Sequence, residues 1–240
     1  MKAILLMTVL CLLCATLCYA QMYNDTASHH AYNSTIDHYK KILGNELGLY
    51  NGPVYVDYTR TISQGSSFLG DSTYPSYGNV TYDGVLYENI PLLYDIYQNK
   101  LITIHPSTKI SFSFVNERVE AFTLLGSYFY NLKPDSVYTI KPGYYERLYS
   151  GIKSSAYQRH EKQARNDLSD RIVKIGLSDK NVFFIKIKDK VTPVSRKKDI
   201  LKIYDNERKK ISHFMRTEKL RFRNNKREDI IKITRFYNEL

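Results

Sequence analysis

The sequence predicts an α+β fold: a mainly antiparallel β meander or open barrel of about ten strands, with a C-terminal helical pair packed on it. From about Asn51, short runs rich in Tyr, Val, Ile and Phe alternate with turn residues, which is typical of antiparallel sheets. After Pro193 the apolar residues recur at helical spacing instead. Because no crossover helices separate the strands, the pattern excludes a parallel α/β fold.

The first 20 residues have the pattern of a cleavable secretory signal peptide. A positive start at Lys2 precedes the apolar run Ala3–Cys18, and small residues occupy the cleavage positions Cys18 and Ala20. The run is shorter than the roughly 18–20 residues of a membrane-spanning helix. We therefore predict export, cleavage near Ala20, and a periplasmic or outer-envelope location, with no transmembrane span in the mature chain.

All three cysteines, Cys11, Cys14 and Cys18, lie within this predicted signal. The mature chain would then have none, which excludes a structural disulfide, a thiol nucleophile and a thiolate zinc site.

Residues 21–50 form a polar segment in which Ser34–Leu49 favours a short helix. Residues 51–194 form the predicted β body, where Asp83-Gly84 is the strongest hairpin indicator, because a type I′ turn needs positive φ at both central residues. The polar stretch Lys162–Gly176 predicts an insertion or a mobile loop. The strands predicted from alternation are Val54–Tyr58, Asn79–Tyr82, Val85–Tyr87, Leu92–Tyr97, Leu101–His105, Lys109–Val115, Val119–Leu125, Tyr128–Leu132, Val137–Ile140, Tyr144–Tyr149, Val182–Lys188 and Val191–Val194.

Residues 195–240 are predicted to form basic C-terminal helices packed on the β body. Ser195 is a suitable N-cap for the first helix, and Asn225 with Glu228 forms a capping-box pattern for the last. The apolar stripes are Ile200, Tyr204, Ile211 and Phe214 with Met215 in the first, and Ile230, Ile233, Tyr237 and Leu240 in the last. Two interpretations of these stripes remain open: faces packed on the sheet, or a membrane-surface helix.

Charge is distributed unevenly along the chain. Residues 1–140 carry 8 Lys and Arg against 11 Asp and Glu, whereas residues 141–240 carry 27 against 13. Such asymmetry predicts an anionic partner for the C-terminal half, either an envelope surface or an acidic protein, unless the lysines only solvate the surface. Because export is predicted, no nucleic acid partner is expected.

Several segments together resemble exported proteins of unknown function in the Bacteroidota. These are Tyr87–Asp95 followed by Leu101, the Gly143–Gly151 strand and turn, and the tail with Lys197–Leu201, Leu220–Arg223 and Phe236–Leu240. The resemblance covers roughly residues 50–240 and implies a signal peptide, an antiparallel β body and a helical C-terminus. The strand order also resembles, at the level of fold, the open barrels of periplasmic lipoprotein carriers, and a shared fold transfers no function.

No residue pattern predicts a catalytic site, a metal site or a cofactor. His29-His30 and His38 lack the spacing of a metal site, and His160-Glu161 is not followed by the second histidine of a zinc-protease helix. The carboxylates Asp83, Glu88 and Asp95 could serve acid–base chemistry only if two of them converge in one pocket.

The least ordinary feature of the composition is its 22 tyrosines, in a chain that has no tryptophan. The apolar ring and polar tip of tyrosine suit interfaces and cavity mouths, although the rings could equally fill a sheet face. The residues predicted to bind a ligand or partner are Tyr87, Tyr94, Tyr97, Tyr144, Tyr145, Lys197, Lys198, Arg208, Lys209 and Lys210.

Three functions remain open at this point. The first is a non-enzymatic binding or interaction module of the envelope, more expected than an enzyme. The second is a periplasmic carrier of a lipid or other apolar ligand, which requires a cavity between sheet and helices. The third is an envelope-polymer hydrolase, which requires two acidic groups or a Ser/His pair within hydrogen-bond reach.

Overall fold

A computed structural model describes residues 32, 34, 35, 48–132, 140–167, 174–222 and 225–240. Several predicted features lie outside the described residues. They are the signal peptide, the Val137–Ile140 strand up to residue 139, nearly all of the Ser34–Leu49 helix, and His29, His30 and His38. Residues Leu49–Leu240 belong to one compact unit.

The described residues confirm the α+β class, with an antiparallel sheet followed by helices. The strands are β1 (Ile62–Gln64), β2 (Ser76–Tyr82), β3 (Val85–Asp95), β4 (Lys100–Ile104), β5 (Ser111–Ser113), β6 (Val119–Leu124), β7 (Ser127–Leu132), β8 (Gly143–Ser150), β9 (Ser155–Arg159), β10 (Lys162–Asp167), β11 (Lys174–Asp179), β12 (Val182–Ile187) and β13 (Lys190–Val194). The helices that follow them are α1 (Lys197–Ile203), α2 (Arg208–Thr217) and α3 (Lys226–Glu239).

Ten of the described strands form one antiparallel sheet in the order β13-β12-β9-β8-β7-β6-β2-β3-β4-β5. Its outer strands β5 and β13 are not paired with each other in the described residues, so the sheet is open. The β2–β3 hairpin turns through Asp83-Gly84 with φ of 51° and 75°, which confirms the predicted type I′ geometry.

The polar stretch Lys162–Gly176, predicted as an insertion or mobile loop, contains β10 and the start of β11, and residues 168–173 lie outside the described residues. These strands pair antiparallel, and β1 joins β11 in parallel to complete a second, three-stranded sheet. Both described faces of β10 are largely exposed, so its sequence lacks the apolar alternation that predicts a strand. Lys162 anchors this sheet through ion pairs to Asp71 at 3.2 Å and Asp179 at 2.7 Å.

The predicted strand Val54–Tyr58 forms only a single bridge, from Val54 to Phe112 on β5. Tyr55 N–H donates to the Ser111 carbonyl at 2.8 Å, and Ser113 N–H donates to the Pro53 carbonyl at 2.9 Å. The segment therefore covers the β5 edge without extending into a regular ladder.

The helices differ from the predicted pair in detail. The first predicted helix is divided by a 3-10 turn at Asp205–Glu207, because the backbone of Tyr204 leaves helical geometry. Helix α1 begins at Lys197 and Ser195 is not its N-cap; the side chain of Asp199 instead accepts hydrogen bonds from the N–H groups of Ser195 and Arg196, just before the helix. Asn225 makes no side-chain cap bond, so the predicted capping box does not form.

The two predicted apolar stripes pack on the sheet, as the first of the two interpretations expects, except for Leu240, which is 38 % exposed just after α3. Buried side chains of the helices meet buried side chains of β9, β12 and β13 in one cluster. Its members include Ala156, Phe183, Ile185, Val194, Ile200, Tyr204, Ile211, Met215, Ile230, Ile233 and Tyr237. Burying this much apolar surface is the dominant force that holds the helices in place.

Candidate functional site

An open cleft of about 720 Å³ lies between the β12–β13 hairpin and helix α1. Ile185 and Ile187 alternate along β12 and share one sheet face with their cross-strand partners Thr192 and Lys190. Ile203, at the end of α1, forms part of the wall. Ile185 is completely buried, whereas Ile187 and Ile203 are half-buried and leave apolar surface accessible in the cleft.

Three lysines line the cleft: Lys188, Lys190 and Lys202. All three are exposed, and among the ion pairs between described residues none involves them. Two carboxylates, Asp189 and Asp199, also line the cleft. The lining therefore combines an apolar floor with a rim that has one more basic than acidic group.

The carboxylate of Asp199 is already occupied by the start of its own helix. It accepts hydrogen bonds from the backbone N–H groups of Arg196 at 2.8 Å and Ser195 at 3.1 Å. The bond from Arg196 contributes most to lowering the pKa of Asp199. Asp199 is therefore ionised, and its Oδ2 is used as an acceptor within its own chain segment.

Strand β13 forms the outer edge of the large sheet, and Pro193 interrupts that edge. Pro193 lies opposite Phe184 on β12 at a position whose backbone nitrogen faces away from the partner strand. Proline has no N–H to donate, so this edge offers fewer hydrogen-bond donors to an added strand.

Three of the five tyrosines predicted to bind a ligand lie in the protein core. Tyr94 donates from its hydroxyl to Asn99 Oδ1 at 2.9 Å, and Tyr144 donates to Asn116 Oδ1 at 2.9 Å. Their rings contact each other at 5.5 Å between centroids. Tyr145 is buried on the opposite sheet face, against Phe184, and donates to the Lys141 carbonyl.

The other two predicted tyrosines lie apart from this core group. Tyr87 is half-buried on β3, and Tyr97 is 39 % exposed in the turn after that strand, beside the ring of Tyr58. The structure therefore does not bring the five tyrosines together into one surface. Burial is the main cause of the raised pKa of Tyr94 and Tyr144, which fits a packing role.

The predicted basic residues all lie on the exposed surface of the helices. Lys197 and Lys198 are in the first turn of α1, outside the cleft lining. Arg208 pairs with Asp205 at 3.6 Å and Lys210 pairs with Glu207 at 3.0 Å, while Lys209 is exposed between them. These local i,i+3 pairs neutralise part of the basic face that the sequence predicts.

A buried polar cluster surrounds the carboxylate of Glu146 on β8. Its oxygens accept hydrogen bonds from Ser127 Oγ at 2.6 Å, from His160 Nε2 at 2.7 Å, and from two nitrogens of Arg227 at 2.5 and 2.7 Å. Burial by itself raises the pKa of Glu146, but the bonds from Arg227, His160 and Ser127 together lower it far below its usual range. The carboxylate is therefore ionised and fully occupied.

Gln158 determines which nitrogen of His160 carries the proton. Arg227 Nη1 donates to Gln158 Oε1 at 2.7 Å, so the amide nitrogen of Gln158 points to His160 Nδ1 at 3.3 Å. An amide nitrogen can only donate, so Nδ1 accepts and Nε2 carries the proton towards Glu146. Ser127 and His160 both bond to the carboxylate and not to each other, which differs from the order of a serine–histidine–acid triad.

A second buried carboxylate, Asp95, fastens the segment before β2 to strand β3. Its Oδ2 accepts from the hydroxyls of Tyr55 at 2.8 Å and Tyr58 at 2.7 Å, and its Oδ1 accepts from Gln98 N–H at 2.9 Å. Burial, followed by the bond to Asp95, raises the pKa of both tyrosines. A small cavity of about 150 Å³ lies beside Tyr55.

Sequence reasoning missed the cleft and the Glu146 cluster. Arg227 and Glu146 are 81 residues apart, and His160 alone has no distinctive local pattern. The cleft could have been noticed from Lys188 and Lys190, which flank a turn next to the alternating Ile185 and Ile187.

Among the described residues, no group of three His, Asp, Glu or Cys side chains is placed to hold a metal ion. In the same ranges, no helix combines the length and the apolar character needed to cross a membrane. Compared with protein-family models, curated proteins and solved structures, the chain matches none of them.

Proposed function

We propose that this chain is an exported, non-enzymatic binding protein and that the cleft between β12, β13 and α1 is its binding site. The observation that carries the proposal is the apolar surface of Ile187 and Ile203, which are only half-buried where they line the cleft. Its volume of about 720 Å³ lies within the usual range of ligand sites. An occupant would remove this apolar surface from water, which is favourable.

Export remains part of this proposal, and it depends on the signal-peptide pattern of residues 1–20. The resemblance to exported Bacteroidota proteins likewise stays a prediction, since no family model matches. The excess of basic residues in the C-terminal half supports an anionic partner in either case.

The packing inside the sheet argues against a carrier that encloses its ligand there. Phe122 and Phe129 stack at 4.7 Å between ring centroids, and Tyr94 and Tyr144 pack edge-on against Phe122. All four side chains are almost completely buried, so they fill the space that an enclosed ligand would need. A ligand is better accommodated in the open cleft.

The occupied state of Glu146 argues against the hydrolase. Each oxygen of this carboxylate receives at least two hydrogen bonds from the protein, which leaves it poorly available to a substrate. The cluster is better explained as a clamp between the sheet and α3.

Native mass spectrometry of the protein, purified gently from the envelope of its host, tests the proposal. The Thr192→Trp variant places a large ring in the cleft at a strand position that tolerates aromatic residues. Thr217→Trp, at the exposed end of α2, is the matched control. We expect a co-purifying mass with the wild type and the control that is lost with Thr192→Trp.

A bare protein in all three samples, or a bound mass that persists in Thr192→Trp, would contradict the proposed site. Thermal unfolding of the two variants shows whether either substitution disturbs the fold instead.

A further inference from the structure

We propose that the cleft takes a single-chain anionic amphiphile, with its apolar chain on the β12 floor and its anionic head among Lys188, Lys190 and Lys202. This inference rests on the proposed function, because it names the ligand class of the same site. Two features of the lining carry it: its apolar floor, and three lysines that have no ion pair with any other described residue.

The floor selects for an apolar chain. Ile187 of β12 and Ile203 of α1 both line the cleft and are half-buried, whereas Ile185, on the same face of β12 as Ile187, is completely buried. The accessible part of the floor therefore consists of branched aliphatic side chains. An acyl chain would remove this apolar surface from water, which is favourable, whereas a purely hydrophilic anion would not. The floor thus requires a ligand with a substantial apolar part.

The rim selects for a negative head. No ion pair between described residues engages Lys188, Lys190 or Lys202, so their ammonium groups are available as donors to a carboxylate or phosphate. Asp199 is occupied by backbone N–H groups, and Asp189 lies in the turn between two of the lysines. The local field therefore favours an anion over a cation.

The free edge of β13 disfavours the main alternative occupant, an acidic peptide added as a further strand. Such a strand would need outward N–H donors along β13, and Pro193 removes one of them. The apolar floor would also contact only alternate side chains of a strand. An amphiphile needs no backbone ladder and uses the floor along its whole length.

The test is isothermal titration calorimetry of the exported protein with laurate, kept below its micelle concentration. We expect wild type to bind laurate and Lys202→Glu to bind it at least about fivefold more weakly. Lys198→Glu is the matched control, because it makes the same charge change on the same helix outside the cleft lining. It should bind laurate within about twofold of the wild type.

Two further probes separate the contributions of head and chain. Dodecyltrimethylammonium has an alkyl chain of nearly the same length and the opposite head charge, and should bind more weakly than laurate to the wild type. Butyrate has the same carboxylate head on a short chain and should show no measurable binding.

Equal laurate affinity of the wild type and Lys202→Glu, or tighter binding of the cationic probe, would overturn the proposed head recognition. If laurate does not bind while Thr192→Trp still loses a co-purifying mass, the amphiphile is wrong and the binding function stands. If neither laurate nor a co-purifying mass depends on the cleft, both proposals fail.

Discussion

Arg227 in the first turn of α3 donates two hydrogen bonds to the buried carboxylate of Glu146 on β8, at 2.5 Å to Oε1 and 2.7 Å to Oε2. The contact joins the last helix to the middle of the large sheet. Most of the helix interface is apolar and non-directional, so this bidentate pair supplies the orientation that burial alone does not. Gln158 and His160 hold the two groups in that geometry.

Replacing the acceptor tests this clamp. Glu146→Gln keeps the shape of the side chain but leaves the guanidinium without an ionised partner. We expect a loss of about 2–4 kcal/mol in the free energy of unfolding. The Arg227 side chain is 38 % exposed, which places the effect below that of a fully buried pair.

Urea unfolding measures the loss, and Glu120→Gln, at an exposed position of β6, is the matched control. Equal stability of the two variants would show that the clamp adds nothing to the fold.

The same carboxylate predicts a dependence of stability on pH. Its pKa in the folded protein is lowered, so it contributes stability above the unfolded-state value of about 4.3, and this contribution is lost as the pH falls towards the folded pKa. Other carboxylates also titrate in this range. The difference between the wild type and Glu146→Gln isolates the contribution, and we expect it to decrease from pH 6 to pH 3. A difference that stays constant with pH would contradict the assignment.

The buried tyrosines predict that the protein also loses stability at alkaline pH. Burial raises the pKa of Tyr94, Tyr144 and Tyr204 above the ordinary value of about 10. A raised pKa contributes stability below pH 10 that is lost as the pH rises towards the folded value. We expect these hydroxyls to ionise only together with unfolding. Tyrosinate absorbance and circular dichroism, followed in one titration, check this; complete ionisation before loss of structure would contradict it.

Whether a structural feature could be predicted from the sequence depends on how far apart in the sequence the residues that determine it lie. The Asp83-Gly84 hairpin was predictable because its positive φ angles are a property of two adjacent residues. The β1–β11 pairing was not, because it joins Ile62 to Ile175, which are separated by nearly half of the chain. The tyrosines illustrate an intermediate case: their composition was evident, but whether Tyr94 faced a core or a surface depended on strands far away in sequence.

Adding a single methyl group at Gly151, in the turn between β8 and β9, is expected to destabilise the fold. Asn238 of α3 binds this turn by accepting from Lys153 N–H at 2.7 Å and donating to the Ser154 carbonyl at 3.0 Å. A Cβ on Gly151 would come within 2.2 Å of Asn238 Oδ1, so Gly151→Ala must displace the amide. We expect a loss of about 1–3 kcal/mol in the free energy of unfolding.

Gly176→Ala is the control for Gly151→Ala, since a Cβ there meets only Arg165 O at an ordinary 3.8 Å. A double-mutant cycle with Asn238→Ala identifies the cause. If Asn238 is the clashing group, the cost of Gly151→Ala falls in the Asn238→Ala background. An unchanged cost would assign the effect to the turn backbone.

Removal of residues 195–240 tests whether the helices complete the core or are an independent appendage. The deletion would expose buried Ala156, Phe183 and Ile185 on one sheet face and would leave Glu146 without Arg227. A large exposed apolar patch beside an open sheet edge favours association. We therefore expect the truncated protein to aggregate during size-exclusion chromatography and to bind a hydrophobic dye. A monomeric truncation that unfolds cooperatively would instead show that the sheet is stable without its helices.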